Sequence, residues 1–180
     1  MEIRRTRMSK LECNIMLIGF MGTGKSTIAD KLKQILNVEQ IEMDALIAQE
    51  AGMSIPDIFE KFGEEHFRDL ETDMLEKFKE KKPVIVSCGG GAVLRDENIE
   101  IMRGQGKIVL LTATPQTVFE RVRNSKNRPV LNGNMNVEYI SGLMEKRRER
   151  YEMAADIVVA TDDKTVEEIC EEILEKVEIA

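Results

Sequence analysis

Residues 19–26 read Gly19-Phe20-Met21-Gly22-Thr23-Gly24-Lys25-Ser26, the pattern G-x-x-x-x-G-K-S. The context suits it. The apolar run at 14–18 precedes it, and Ile28, Leu32, Ile35 and Leu36 follow at helical spacing. A strand that passes through a glycine-rich turn into a helix lets successive backbone N–H groups converge on phosphate oxygens at the helix N-terminus. Lys25 is then placed to bridge β- and γ-phosphates, and the Ser26 hydroxyl to coordinate Mg²⁺. The stretch is therefore read as a P-loop for a nucleoside triphosphate, with Gly22, Thr23, Gly24, Lys25, Ser26 and Thr27 as its binding residues.

Working outward, short β-branched runs alternate with helical periodicity. Further strands are expected at 40–43, 83–88, 107–113 and 156–160. Helices are expected at 45–50, 54–62 (capped by Ser54), 64–79, 96–103, 115–124, 137–153 and 164–177. The last turns Val166, Ile169, Ile173 and Val177 inward. Five strands alternating with helices predict right-handed crossovers, hence a three-layer α/β/α domain with a five-stranded parallel sheet covered on both faces. Ligands of such sheets bind at the carboxyl ends of the strands. One domain is expected over 11–180, after a loose basic tail at 1–10. Residues 125–136, SKNRPVLNGNMN, lack apolar periodicity and are read as a mobile segment.

Composition narrows the function. The 180 residues carry 26 Lys and Arg against 33 Asp and Glu, a net charge of −7, which argues against a nucleic-acid partner. An anionic ligand is held only where local Arg and Lys overcome that charge. Three cysteines (Cys13, Cys88, Cys170) with no CxxC, and a lone histidine, His66, give neither a disulfide framework nor a structural zinc site. His66 and Cys88 are read as structural. A reducing, cytoplasmic compartment is expected. The run at 15–18 breaks at Gly19, far short of a membrane span, so no membrane partner is expected. No sustained heptad or apolar stripe asks for a second copy, and a monomer is expected.

Several charged residues suit phosphoryl transfer, each with a plainer alternative. The third strand ends in Ser87-Cys88 and three glycines, without the carboxylate that often accompanies a P-loop. Glu42 and Asp44 lie at the end of the second strand. Two apart on an extended segment, they point to one side, one toward a metal-bound water and the other toward an acceptor hydroxyl; equally, they form an acidic turn that caps the next helix. Arg68 and Glu71, i and i+3 on a helix, also fit a surface ion pair. Arg128, in the segment 125–136, is either a cation that closes over the transferring phosphates or a solvated loop charge. The run 146–150, Lys-Arg-Arg-Glu-Arg, reads as a solvated face, with one inward member as the alternative. Gly89, Gly90 and Gly91 follow a parallel strand, which favours close backbone approach to a ligand.

Taken in order, GFMGTGKST, EMD with IFEKFGEEHFRDLE, CGGGAV, NRPVL and LMEKRRERY resemble the shikimate kinase family over nearly the whole chain from Asn14 onward. The resemblance implies a fold like that of nucleoside monophosphate kinases, with strand order 2-3-1-4-5, a substrate-binding region at about 44–72 and a lid at about 124–136. It implies ATP- and Mg²⁺-dependent phosphorylation of the 3-hydroxyl of shikimate, on the route to chorismate and aromatic amino acids. Lys25, Asp44 and Arg128 would then be catalytic, and Arg121 and Arg128 would join the P-loop in holding ATP. Arg68 and Arg147 would grip the shikimate carboxylate, Glu71 would orient Arg68, and Gly89, Gly90 and Gly91 would offer backbone contacts. Ser26 would meet the metal directly and Glu42 through water. One departure stands out: the family's usual Asp-x-Asp after strand two has Glu42 in first position, and the extra methylene moves that carboxylate outward. A related kinase for gluconate or a nucleotide would not require Arg68, the three glycines and Arg147 together.

Overall fold

β1 (Asn14–Ile18) is buried at every position, as a strand with helices on both faces must be. It lies at the centre of a parallel sheet with β2 (Glu39–Glu42), β3 (Val84–Ser87), β4 (Gly106–Thr112) and β5 (Ile157–Ala160), in the order β2-β3-β1-β4-β5. The expected topology is thus the observed one. The structure, a computed structural model, describes residues 11–81, 83–123 and 136–179. The expected tail at 1–10 and all of the expected lid but residue 136 lie outside that set, Arg128 included.

Alternation along the strands builds two cores. Ile15, Leu17, Ile85, Val109 and Leu111 meet Ile28 and Leu32 of α1 (Lys25–Leu36) and Ile169 and Ile173 of α7 (Val166–Ile179). Met16, Ile18, Val86, Ile108 and Leu110 face the opposite core. It is covered by α2 (Met43–Ala51), α3 (Ile55–Lys77), α4 (Asp96–Gln105), α5 (Pro115–Val122) and α6 (Val137–Ala154). The edge strands β2 and β5 are less fully covered than the three between them. In β5, Ile157 and Val159 are buried in the core shared with α7, while Val158, pointing to the opposite face, is 48% exposed. Buried Asn14 stitches the strand starts together: its Oδ1 accepts from Val84 N–H at 3.0 Å, and its Nδ2 donates to Gln105 Oε1 at 3.2 Å.

Two local departures from expectation matter for the site. The second strand ends at Glu42, not Met43. Met43 has 0% exposure and opens α2, so Asp44 sits in a helical first turn rather than on extended chain. The two helices expected on either side of Gly63 are one continuous run broken at that residue, whose φ of 84° and ψ of 172° interrupt the helix. Left-handed φ is open to glycine without Cβ penalty, which is why the break falls there. Among the described residues, no helix is long and apolar enough to cross a membrane.

Candidate active site

The loop between β1 and α1 has the expected shape, and its side chains are already engaged. Gly22 has a φ of 78°, and a Cβ there would stand 2.7 Å from Val122 Cγ1, so the loop packs against α5 where only glycine fits. Gly24, also left-handed, begins α1 without a side-chain cap, which leaves the first-turn N–H groups to the loop side. Lys25 Nζ donates to the carbonyls of Gly19 (2.7 Å) and Phe20 (3.0 Å), so the ammonium lies across the loop. The buried Thr23 hydroxyl donates to Phe20 O at 2.8 Å; its side chain shapes the loop, while Ser26 and Thr27 are exposed. On α5, Arg121 donates to Gly22 O (3.2 Å), Thr161 Oγ1 (3.0 Å) and Thr161 O (3.2 Å), which joins the P-loop to the end of β5.

Glu42 and Asp44 meet different partners. Ser26 Oγ donates to Glu42 Oε2 at 3.0 Å, and Gln40 Nε2 donates to Glu42 Oε1 at 2.7 Å. The longer side chain of Glu42 thus ends at the P-loop serine, held by a glutamine two residues earlier on the same strand face. Asp44 instead turns to the glycine run, where a Cβ on Gly89 would overlap its Oδ1. Because α2 starts at Met43, the two carboxylates are placed by a strand end and a helical first turn, not by strand alternation.

Arg68 and Glu71 are not a surface pair. They are 8% and 0% exposed, and Arg68 Nη1 donates to Glu71 Oε2 while Nη2 donates to Glu64 Oε1 at 2.9 Å. Burial pushes the Glu71 carboxyl above its ordinary value against the pull of Arg68. Burial opposes the Arg68 charge too, but Glu71 and Glu64 outweigh it and hold Arg68 above its usual range. Arg68 Nε and Glu71 Oε1 are buried without a hydrogen-bond partner.

The three glycines gather these groups. A Cβ on Gly89 would meet Asp44 and lie 3.0 Å from Glu71 Oε1, and one on Gly91 would lie 2.5 Å from Arg68 Cζ. From α6, Arg147 Nη1 donates to Gly90 O at 3.3 Å and Tyr151 Oη to the same oxygen at 2.6 Å. Arg150 Nη2 donates to Val93 O at 2.7 Å and Nη1 to Asp96 Oδ1 at 2.7 Å. The 146–150 run is therefore not a solvated face throughout: Arg147 and Arg150 turn to the loop after β3, whereas Arg148 stays exposed beside Glu145. Cys88 lies beneath the assembly. Its thiol feels Lys25, Glu71, Asp44 and Glu42 together, and burial pushes it far up, so it stays neutral and structural as expected. His66 is exposed on α3 against the Phe62 ring.

Sequence reading passed over Gln40, Glu64, Tyr151 and Thr161, and gave Arg150 only a place in the solvated run 146–150. Gln40 and Glu64 had a local signal, two before Glu42 on a strand and four before Arg68 on a helix. Tyr151 is likewise four after Arg147, but its partner Gly90 is 61 residues away in sequence. Among the described residues no cluster of three or more His, Cys, Asp or Glu side chains is placed to hold a metal. The oxygens of Ser26 and Glu42 suit Mg²⁺, which keeps several waters and takes few protein ligands beside phosphates.

The sequence and the fold are similar to those of known proteins. The shikimate kinase family profile matches residues 21–178. A shikimate kinase of Thermodesulfovibrio yellowstonii is 40% identical over 165 residues, 92% of this chain and 95% of the relative. The structure of the Acinetobacter baumannii shikimate kinase in complex with shikimate superposes with a TM-score of 0.87 at 30% identity, over 94% of this chain and 95% of that one. That of the Aquifex aeolicus shikimate kinase gives 0.78 at 39% identity, over 92% and 96%.

Proposed function

The chain belongs to the shikimate kinase family, and from that premise we propose how its residues move a phosphoryl group from ATP to the 3-hydroxyl of shikimate. The observation that carries the reading is the meeting of two arginines from different helices on one loop. Arg68 of α3 lies against Gly91, and Arg147 of α6 lies against Gly90. Two guanidiniums on one planar carboxylate form charge-assisted bonds of about 1.5–3 kcal/mol each. That suffices to hold shikimate on a protein of net charge −7. Glu71 and Glu64 fix the Arg68 fork.

Asp44, beside the same loop, takes the acceptor side: it orients the 3-hydroxyl and accepts its proton as the phosphoryl group arrives. ATP is the donor. Its phosphates lie along Gly22, Thr23, Gly24, Lys25, Ser26 and Thr27, and Lys25 exchanges the Gly19 and Phe20 carbonyls for β- and γ-phosphate oxygens. Arg121, fixed by Thr161, lies where the adenosine end would rest, and Arg128 supplies charge to the transferring group. Ser26 directly, and Glu42 through water, would hold Mg²⁺, which when bound neutralises phosphate charge. Most of the acceleration comes from positioning and charge rather than covalent chemistry. The reading includes a single domain over 11–180 with a substrate region near 44–72 and a lid near 124–136. It also includes a monomeric, cytoplasmic enzyme with no nucleic-acid or membrane partner.

The test is Mg²⁺-dependent ADP release from ATP, with and without shikimate, with gluconate and AMP as controls. Release that requires shikimate is expected. Release driven equally by gluconate or AMP would discard the carboxylate clamp.

A further inference from the structure

We infer that Tyr151 is a positioning residue for the acceptor: its hydroxyl sets the plane of the Gly90–Gly91 peptide, and so aims the Gly91 N–H at shikimate. The inference rests on reading this loop as the shikimate site. A peptide between two glycines has no Cβ on either side to bias its rotation, so hydrogen bonds must fix it. Two do so here, Tyr151 Oη to Gly90 O at 2.6 Å and Arg147 Nη1 to the same oxygen at 3.3 Å. The shorter belongs to Tyr151.

Geometry supplies the rest. No peptide bond among the described residues is cis. In a trans peptide the carbonyl and the following N–H point in opposite directions. Drawing the Gly90 carbonyl toward α6 therefore turns the Gly91 N–H away from α6, on the residue that packs against the Arg68 guanidinium. Tyr151 follows Arg147 by one helical turn, and the Arg147 guanidinium also reaches the phenol oxygen. One hydroxyl thus aligns both a substrate-gripping arginine and a backbone donor. The ring is 5% exposed, and burial raises the phenol's pKa against the opposing pull of Arg147, which keeps the hydroxyl a donor.

The test is Tyr151→Phe, which keeps the ring and removes the hydroxyl. We expect the KM for shikimate to rise about five- to tenfold, the effect of one lost hydrogen bond. The KM for ATP and kcat should stay close to the parent's, because acceptor binding is weakened equally in the ground and transition states, and the melting temperature should fall by no more than about 2–4 °C, the effect of one internal hydrogen bond. A shikimate KM within twofold of the parent overturns the inference. So does a loss shared with the ATP KM and with a larger fall in melting temperature, which marks a merely structural tyrosine. Should the variant not fold, hydrogen exchange in the parent decides: saturating shikimate must slow exchange at the Gly91 amide, and unchanged exchange overturns the inference. A parent without shikimate-dependent turnover brings down the reading of the site itself. A parent that turns over beside an unaltered Tyr151→Phe brings down only the role of Tyr151.

Discussion

Replacing Gly91 by alanine tests the carboxylate grip through a single methyl group. The backbone tolerates the change, since Gly91 has a φ of −100°, open to any residue. The added Cβ would lie 2.5 Å from Arg68 Cζ and 2.6 Å from Nη2. Ordinary carbon contacts start near 3.5 Å, so the guanidinium must retreat by about 1 Å. It has little room. Nη1 and Nη2 are held by Glu71 and Glu64, and the side chain is buried. A fork moved by that much loses at least one charge-assisted bond to the substrate carboxylate, about 1.5–3 kcal/mol, or roughly 10- to 150-fold in shikimate KM. Stability should fall too, because the same retreat strains the buried Arg68–Glu71 pair. The assay is steady-state ADP release with each substrate varied in turn, with a thermal melt beside it. A raised shikimate KM at nearly constant ATP KM is expected. A folded variant whose shikimate KM stays within threefold of the parent would refute the placement of Arg68 on the substrate.

Three further outcomes follow from the same geometry. Asp44→Asn should leave both KM values within about threefold while kcat falls by roughly 10²–10⁴, the usual range for a lost proton acceptor; a fully active variant would remove Asp44 from the chemistry. Glu71 titrates above the ordinary 4.5 in the folded chain. Between the two values the folded state therefore holds more protons than the unfolded one, and the stability this group contributes, full below about 4.5, is lost as pH rises through its folded value. Urea unfolding of parent and Glu71→Gln across that range should show their stability difference moving against the parent as pH rises; a flat difference contradicts the burial argument. Gly142 is exposed within α6, and a Cβ there would have no atom within 4 Å, so replacement by alanine should gain about 0.5–1 kcal/mol. A melting temperature that fails to rise would show that this turn is not regular helix.

The sequence carried most of the scaffold because each element announced itself locally. The run at 14–18 is apolar throughout, Ser54 marks a helix start, and Gly63 marks the break in α3. The end of β2 was misplaced by one residue, and that residue exchanges strand alternation for a helical first turn at Asp44. Spacing could not tell a buried Arg68–Glu71 pair from an exposed one, because i,i+3 geometry is the same in both; burial comes from packing by distant parts of the chain. Spacing alone left the inward member of the 146–150 run open, the resemblance pointed to Arg147, and the inward turn of Arg150 as well was hidden for a similar reason. Their partners are carbonyls 57 residues away, and a backbone oxygen leaves no mark in the sequence.

The break at Gly63 also divides α3 mechanically. Beyond it, the helix is bolted to the loop after the glycines: Arg95 bonds Asp69 at 2.8 Å, and Thr72 bonds Asn98, which in turn holds Ala92 O. Before it, residues 55–62 have their own start at Ser54 and meet the second half through the rings of Phe59 and Phe67, 4.8 Å apart. Apolar contacts of that kind tolerate sliding and exchange better than charged forks do. Gly63 is therefore a seam for laboratory evolution: the outward residues of 55–62, such as Glu60 and Lys61, can be varied as a group while Ile58 and Phe59 keep the segment on the core and the charge register of Arg68 and Glu71 stays clamped.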